Sequence, residues 1–168
     1  MREEIIKFLE DNQDKKIALF SDMDGVIAQF EFDYNNDIVN DHDGNFFNDK
    51  KPINTVIDFF KEINKFSNVD FYILSACGYE RQTISKSNWL DKYAPFFTKD
   101  KRIYVVKETT KYTNSTKADI KTGFIVDKLR EYNYDYILYF EDEYVMLKRA
   151  HNKIGDKIIC VHISNFLD

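Results

Sequence analysis

Hydrophobic positions along this chain fall into five short continuous runs, separated by stretches in which they recur every three or four residues. The runs are Lys16-Ile17-Ala18-Leu19-Phe20, Val69 to Leu74, Arg102 to Val106, Tyr136 to Phe140 and Lys157 to Ile163. Each is apolar on successive residues and too short for an ordinary helix, which predicts a strand buried on both faces. Helical spacing appears at about 53 to 66, 80 to 93, 117 to 132 and 143 to 153, and Ile5, Ile6, Phe8 and Leu9 predict an amphipathic opening helix over 2 to 12. Thr116 and Asp119 are spaced as a helix-capping pair. Strands alternating with helices of this length predict βαβ units. The expected fold is therefore α/β, a parallel five-stranded sheet flanked by helices, with its functional residues at the carboxyl ends of the strands.

Residues 27 to 51 break the alternation. They are rich in Asn, Asp and Phe, hold a turn signal at Asp43-Gly44 and have no helical period. A hairpin-like flap, or minimal cap, inserted after the first strand is predicted there, inside one domain spanning residues 1 to 168.

Composition narrows the class. A length of 168 residues suits one domain, and 32% charged with 43% hydrophobic residues, 5 Gly and 2 Pro excludes disordered and collagen-like chains. The formal charge of −5 argues against a general nucleic-acid coat, which needs net positive charge. Cys77 and Cys160 are too few for a disulfide framework and have no metal-ligand spacing, so reduced thiols are expected. The start, Met1-Arg2-Glu3-Glu4, has no signal-like apolar run, and no segment reaches membrane-spanning length. A cytoplasmic location without membrane partners follows as the expectation; the oligomeric state stays open.

The chemistry concentrates where the first strand ends. In Asp22-Met23-Asp24-Gly25-Val26 the two acids stand two apart, so an extended backbone turns both toward one small site, and Gly25 permits a sharp exit. Adjacent carboxylates repel, and a phosphate beside them adds to the repulsion unless a divalent cation is present; Mg²⁺, which prefers oxygen ligands, suits such a site. The same letters occur in Asp41-His42-Asp43-Gly44, but no apolar strand precedes them, and that copy reads as a solvated turn. Ser75 ends the second run, where its hydroxyl can donate to a phosphate oxygen. Glu141-Asp142-Glu143 ends the fourth run and can supply a further metal carboxylate, with Asp142 preferred and Glu141 an open addition. A fixed cation is also needed to offset phosphate and carboxylate. Lys117 is the first choice, with Lys111 and Lys121 as competitors.

In their order and spacing these residues resemble the haloacid dehalogenase (HAD) superfamily of phosphotransferases, over nearly the whole chain. Asp22-Met23-Asp24-Gly25-Val26-Ile27-Ala28-Gln29-Phe30 further resembles the 5'(3')-deoxyribonucleotidases, as do Phe46-Phe47 followed by Lys51-Pro52-Ile53, and Val69 to Ser75. The resemblance implies a Rossmann-like HAD fold, Asp22 as nucleophile forming an aspartyl-phosphate, and Asp24 as general acid and then base. It implies Mg²⁺ on the Asp22 carboxylate, the Asp24 backbone carbonyl and the Asp142 carboxylate, with Ser75 and Lys117 on the phosphoryl oxygens. Phe30 matches a position that lies against the nucleotide base in that family, and Phe46, Phe47 and Tyr34 could add aromatic surface. The chain departs from the family in its insertion, much shorter than the helical cap of the nucleotidases, and in Ala76-Cys77 after the serine.

The expected function is a Mg²⁺-dependent phosphomonoester hydrolase, with a small phosphorylated substrate such as a nucleoside monophosphate. A phosphatase that admits a nucleic-acid end or a phosphoprotein through an open site is the alternative, and a non-catalytic metal- or phosphate-binding module is a third reading. His42, His151 and His162 have no partner at metal or triad spacing and read as packing or surface residues, Trp89 reads as core, and the basic stretch after residue 98 reads as a solvated face.

Overall fold

The computed structural model describes residues 1–30, 47–107, 109 and 116–166. Five strands, β1 (Ile17–Ser21), β2 (Val69–Cys77), β3 (Arg102–Val106), β4 (Tyr136–Glu141) and β5 (Ile158–His162), form one parallel sheet in the order β3-β2-β1-β4-β5. The helices are α1 (Arg2–Asp11), α2 (Asn54–Ile63), α3 (Gln82–Tyr93), α4 (Lys117–Tyr132) and α5 (Tyr144–Ile154).

Successive side chains of a strand point to opposite faces, and the core divides accordingly. Ile17, Leu19, Phe71, Ile73, Leu138 and Phe140 face one way, onto Ile5 and Leu9 of α1, Phe60 and Ile63 of α2, and Trp89 and Leu90 of α3. Ala18, Phe20, Tyr72, Leu74, Ile137 and Tyr139 face the other way, onto Ala118 and Ile125 of α4 and Met146, Leu147 and Ala150 of α5. All five residues of β1 are buried. A fully buried Leu, Ile or Phe contributes about 1.5–3 kcal/mol, so the sheet centre is the rigid part on which the site is built.

Two strands run further than their apolar runs. β2 continues through Ser75 to Cys77 because Ile73 to Cys77 pair with Arg102 to Val106 of β3, and β4 continues to Glu141, which pairs with His162. The capping box at Thr116 is formed: its side chain accepts from the Asp119 N–H, and Asp119 reaches back to the Thr116 N–H. α4 ends at Asn133, whose φ of 53° is the left-handed cap that a short polar residue tolerates.

The chain order switches at β1: the path from β1 to β2 and β3 goes to one side, and β4 and β5 lie on the other. The carboxyl ends of β1 and its two neighbours therefore open onto one crevice, where α/β sheets bind ligands. Of the insertion expected over 27 to 51, residues 31–46 lie outside the described residues. Its two described ends run side by side, with Gln29 N–H donating to the Lys51 carbonyl at 2.8 Å and Ile53 N–H to the Ile27 carbonyl at 2.8 Å.

Candidate active site

Asp22 follows β1 directly and is fixed by the sheet. Its N–H donates to the Phe140 carbonyl of β4 at 3.0 Å, and its Oδ1 accepts from the Met23 N–H at 2.8 Å. The chain then turns at Gly25, which has a φ of 74°. A Cβ at that position would sit 2.2 Å from Asp142 Oδ2, so glycine is needed both for the backbone conformation and for the close approach of the carboxylate.

Asp22, Glu141 and Asp142 each offer a carboxylate oxygen, all within 4.8 Å of one another. The nearest cation is Lys121 of α4, with Nζ 3.1 Å from Asp22 Oδ2 and 2.8 Å from Glu141 Oε2. Lys121 is 1% exposed. Burial alone would lower its pKa, and the Asp22 and Glu141 charges outweigh burial and raise it.

The two acids at the end of β4 differ in their partners. Glu141 Oε2 accepts from Lys121 and from the Tyr139 hydroxyl at 2.7 Å, and Oε1 from the Asp142 and Glu143 N–H groups at 3.2 and 3.4 Å. Its acceptor positions are taken by the protein itself. Burial and the Asp22 charge nonetheless raise its pKa above the carboxylate range. Asp142 has no ion-pair partner among the described residues, and burial together with the Asp22 and Glu143 charges raises its pKa. Among the described residues the acids here outnumber the ammonium beside them, and all the donors are oxygens. That set fits a divalent cation of the hard kind, held by Asp22 and Asp142 with Glu141 committed to Lys121.

Asp24 is answered differently. Its Oδ1 accepts from Lys50 Nζ at 2.7 Å and its Oδ2 from Lys86 Nζ at 2.7 Å. Burial raises its pKa, but the two ammoniums outweigh burial and bring it down to about 2. Asp24 is therefore a carboxylate in the resting site.

Lys86 also donates to Ser75 Oγ and to the Ala76 carbonyl, both at 2.8 Å. Ser75 is fully buried, so its hydroxyl meets Lys86 and not solvent. Cys77, two residues on, is a buried thiol whose pKa burial raises, which makes it unreactive.

The lysine expectation is revised by this geometry. Lys117 lies at the edge of the inward face of α4 and pairs with Glu143, whereas Lys121, one turn later and in line with Ala118, Thr122 and Ile125, points inward. Lys111 lies outside the described residues. Lys86 and Lys50 were not anticipated, because a lone lysine is read by default as solvated. A signal existed for Lys86: it shares its helix face with the buried Trp89 and Leu90, three and four residues on.

The aromatic expectations separate. Phe30 is 59% exposed and has Lys50 Nζ 5.3 Å from its ring centroid. Phe47 is buried and corrects the expectation of a substrate-facing ring. It packs edge-on to Trp89 at 5.7 Å, with the Lys50 and Lys86 ammoniums 5.1 and 5.0 Å from its centroid, and so completes the core beside α3. Phe46 and Tyr34 lie outside the described residues. A separate cleft of about 630 Å³, lined by Tyr144, Leu147, His151, Cys160 and His162 among others, contains none of the site carboxylates.

No protein-family model and no curated protein sequence matches the chain. Solved structures do resemble it. A chain of the Pnkp1/Rnl/Hen1 RNA repair complex superposes with a TM-score of 0.57 at 12% identity, over 89% of this chain and 43% of that one. The class C acid phosphatase from Bacillus anthracis superposes with a TM-score of 0.59 at 17% identity, over 96% of this chain and 72% of that one. The chain thus spans less than half of the first and about three quarters of the second. The likeness carries the architecture: a Rossmann-like α/β fold, a five-stranded parallel sheet flanked by helices. No helix among the described residues is long and apolar enough to cross a membrane.

Proposed function

We propose that the chain is a Mg²⁺-dependent phosphomonoester hydrolase working through an aspartyl-phosphate on Asp22, with nucleoside 5'(3')-monophosphates or similar small phosphates as substrates. The observation that carries this reading is the gathering of Asp22, Asp142 and Lys121 at the carboxyl ends of β1 and β4, with Asp24 two residues beyond the nucleophile.

Phosphate monoesters hydrolyse extremely slowly without a catalyst, and dividing the reaction into two displacements lowers each barrier. Asp22, steadied by the Met23 N–H and Lys121, attacks phosphorus; the new oxygen–phosphorus bond forms as the ester oxygen–phosphorus bond breaks. Asp24, which takes up a proton from solvent as the phosphate enters, gives it to the departing alcohol, then takes one from the water that attacks phosphorus and frees Asp22. The anionic resting state of Asp24 suits its role as base. A phosphate dianion entering beside Asp24 raises its proton affinity, which suits the acid role. Asp22 and Asp142 would hold the metal, with the Asp24 carbonyl as a third ligand carried over from the family resemblance. Bound there, the ion supplies the positive charge that the carboxylates and the phosphoryl oxygens lack.

The exposed ring of Phe30 supports a planar substrate group such as a base. The two free cysteines fit the reducing conditions of the cytoplasm. The likeness to a chain of an RNA repair complex favours a second reading, in which the phosphate is borne on a nucleic-acid end.

Turnover of mononucleotides, sugar phosphates, phosphopeptides and phosphorylated oligonucleotides, with and without Mg²⁺, tests the proposal. The expected result is Mg²⁺-dependent release of phosphate, fastest from mononucleotides and reduced at least about 10³-fold by Asp22→Asn. Faster release from oligonucleotide ends selects the second reading. Metal binding with no hydrolysis of any monoester overturns the enzyme in favour of a binding module.

A further inference from the structure

Asp22 is built into the sheet, but Asp24 is not. It lies past the end of β1, in the turn made by Gly25, and among the described residues its carboxylate is held from outside that turn. Lys86 does this from α3. An ammonium has three N–H donors, and those of Lys86 meet Asp24 Oδ2 at 2.7 Å, Ser75 Oγ at 2.8 Å and the Ala76 carbonyl at 2.8 Å. No donor remains for a substrate oxygen. Two of the three acceptors belong to β2, whose end is rigid because it pairs with β3 through Cys77. Ser75 is fully buried beneath the ammonium and Lys86 is 4% exposed, so the contact is internal. Lys50 holds the other Asp24 oxygen from the returning end of the insertion, and its own carbonyl accepts from Trp89 Nε1 of α3 at 2.7 Å.

We propose that Lys86 is a positioning residue that ties the Asp24 carboxylate to the end of β2, with Ser75 Oγ and the Ala76 carbonyl as the anchors of this tie. The inference rests on the phosphatase reading for its consequence and on geometry for its content. Displacing a proton-transferring group by about 1 Å can cost about 10²-fold in rate, and the loss falls on the step that needs the proton.

The test compares Lys86→Met and Ser75→Ala with the wild-type protein on an alkyl phosphate and on p-nitrophenyl phosphate, whose leaving group needs no proton. Lys86→Met is expected to lower kcat on the alkyl ester by about 10²-fold and the rate of the initial p-nitrophenolate burst, the one step that needs no proton from Asp24, by less than about tenfold, with KM and inhibition by inorganic phosphate within about twofold of wild type. Ser75→Ala is expected to lower kcat on the alkyl ester, and the double variant with Lys86→Met to lose less than the product of the two single losses. A rise in KM with kcat intact for Lys86→Met, or single losses that simply multiply in the double variant, overturns the proposal. Lys86→Gln, which keeps a donor, replaces Lys86→Met if the latter fails to fold.

A crystal structure of the variant separates this inference from the functional reading. The Asp24 carboxylate is expected to leave its wild-type place; an unmoved Asp24 refutes the tie whatever the activity. A wild-type protein that hydrolyses no monoester refutes the phosphatase reading instead, and the crystal structure then decides the tie alone.

Discussion

The sheet carries a polar cluster at each end, and the two are balanced in opposite ways. At the amino end, Asp70 accepts from the Tyr134 hydroxyl at 2.7 Å and pairs with Lys101, while the Tyr134 and Tyr72 hydroxyls lie 2.9 Å apart. Asp135 beside them accepts from the Lys16 N–H at 2.9 Å. Burial opposes the ionisation of Asp70, but the contacts from Lys101 and Tyr134 outweigh it and lower its pKa. At the carboxyl end, Asp22, Glu141 and Asp142 share Lys121, and the pKa values of Glu141 and Asp142 are raised. A cluster in which each acid finds its own partner holds strands together. One that leaves charge unanswered is stabilised by a cation that arrives, and here the all-oxygen donor set suits a divalent one.

Breaking the carboxyl-end cluster at Lys121 should have the largest effect on stability. Lys121→Met leaves Asp22 and Glu141 buried without their cation, and a loss of about 3–5 kcal/mol is expected in urea unfolding. A loss below about 1 kcal/mol would show that those acids are already neutral. Asp70→Asn should cost about 1–2 kcal/mol through its lost ion pair and weakened hydrogen bond, with turnover unchanged, as thermal melts and phosphate release would report. A drop in turnover would erase the distinction between the two ends.

Asp142→Asn sharpens the contrast with the opposite sign. In metal-free protein near neutral pH it should stabilise by about 0.5–1 kcal/mol, and it should abolish the rise in Tm that Mg²⁺ gives the wild type. Because the folded-state pKa of Asp142 is raised, its ionised form is a burden present above that pKa and gone once pH falls below the unfolded value near 3.8. The gain from Asp142→Asn should therefore shrink on acidification. For Asp70 the folded-state pKa is lowered, so its stabilisation is full above the unfolded value near 3.8 and is lost as pH falls through the folded one. The smallest effect belongs to Lys117→Ala: less than about twofold in turnover and about 0.5 kcal/mol or less in stability, since its pair with Glu143 is partly exposed.

The sheet was legible because continuous apolar runs admit few other readings, and Asp22 and Asp142 because each closes such a run. What the sequence concealed was the cations. Lys50, Lys86, Lys117 and Lys121 are the same letter, and their roles separate only when helix phase and strand length are known. Lys121 lies on the inward face of α4 and Lys117 at its edge, a difference that helical period alone contains. Ser75 reads from the sequence as the last residue of its strand, but pairing with β3 carries β2 two residues beyond it, which puts its hydroxyl under Lys86. The bond between Lys50 and Asp24 spans 26 residues and depends on how the insertion returns, which no local pattern records.

Borohydride reduction of the protein during turnover tests the central claim most directly, since it converts an aspartyl-phosphate to homoserine in place and a peptide map locates the product. The account predicts homoserine at Asp22 alone, and only when both a phosphomonoester and Mg²⁺ are present. Steady phosphate release with Asp22 unmodified, or with the label at Asp24 or Asp142, would contradict it.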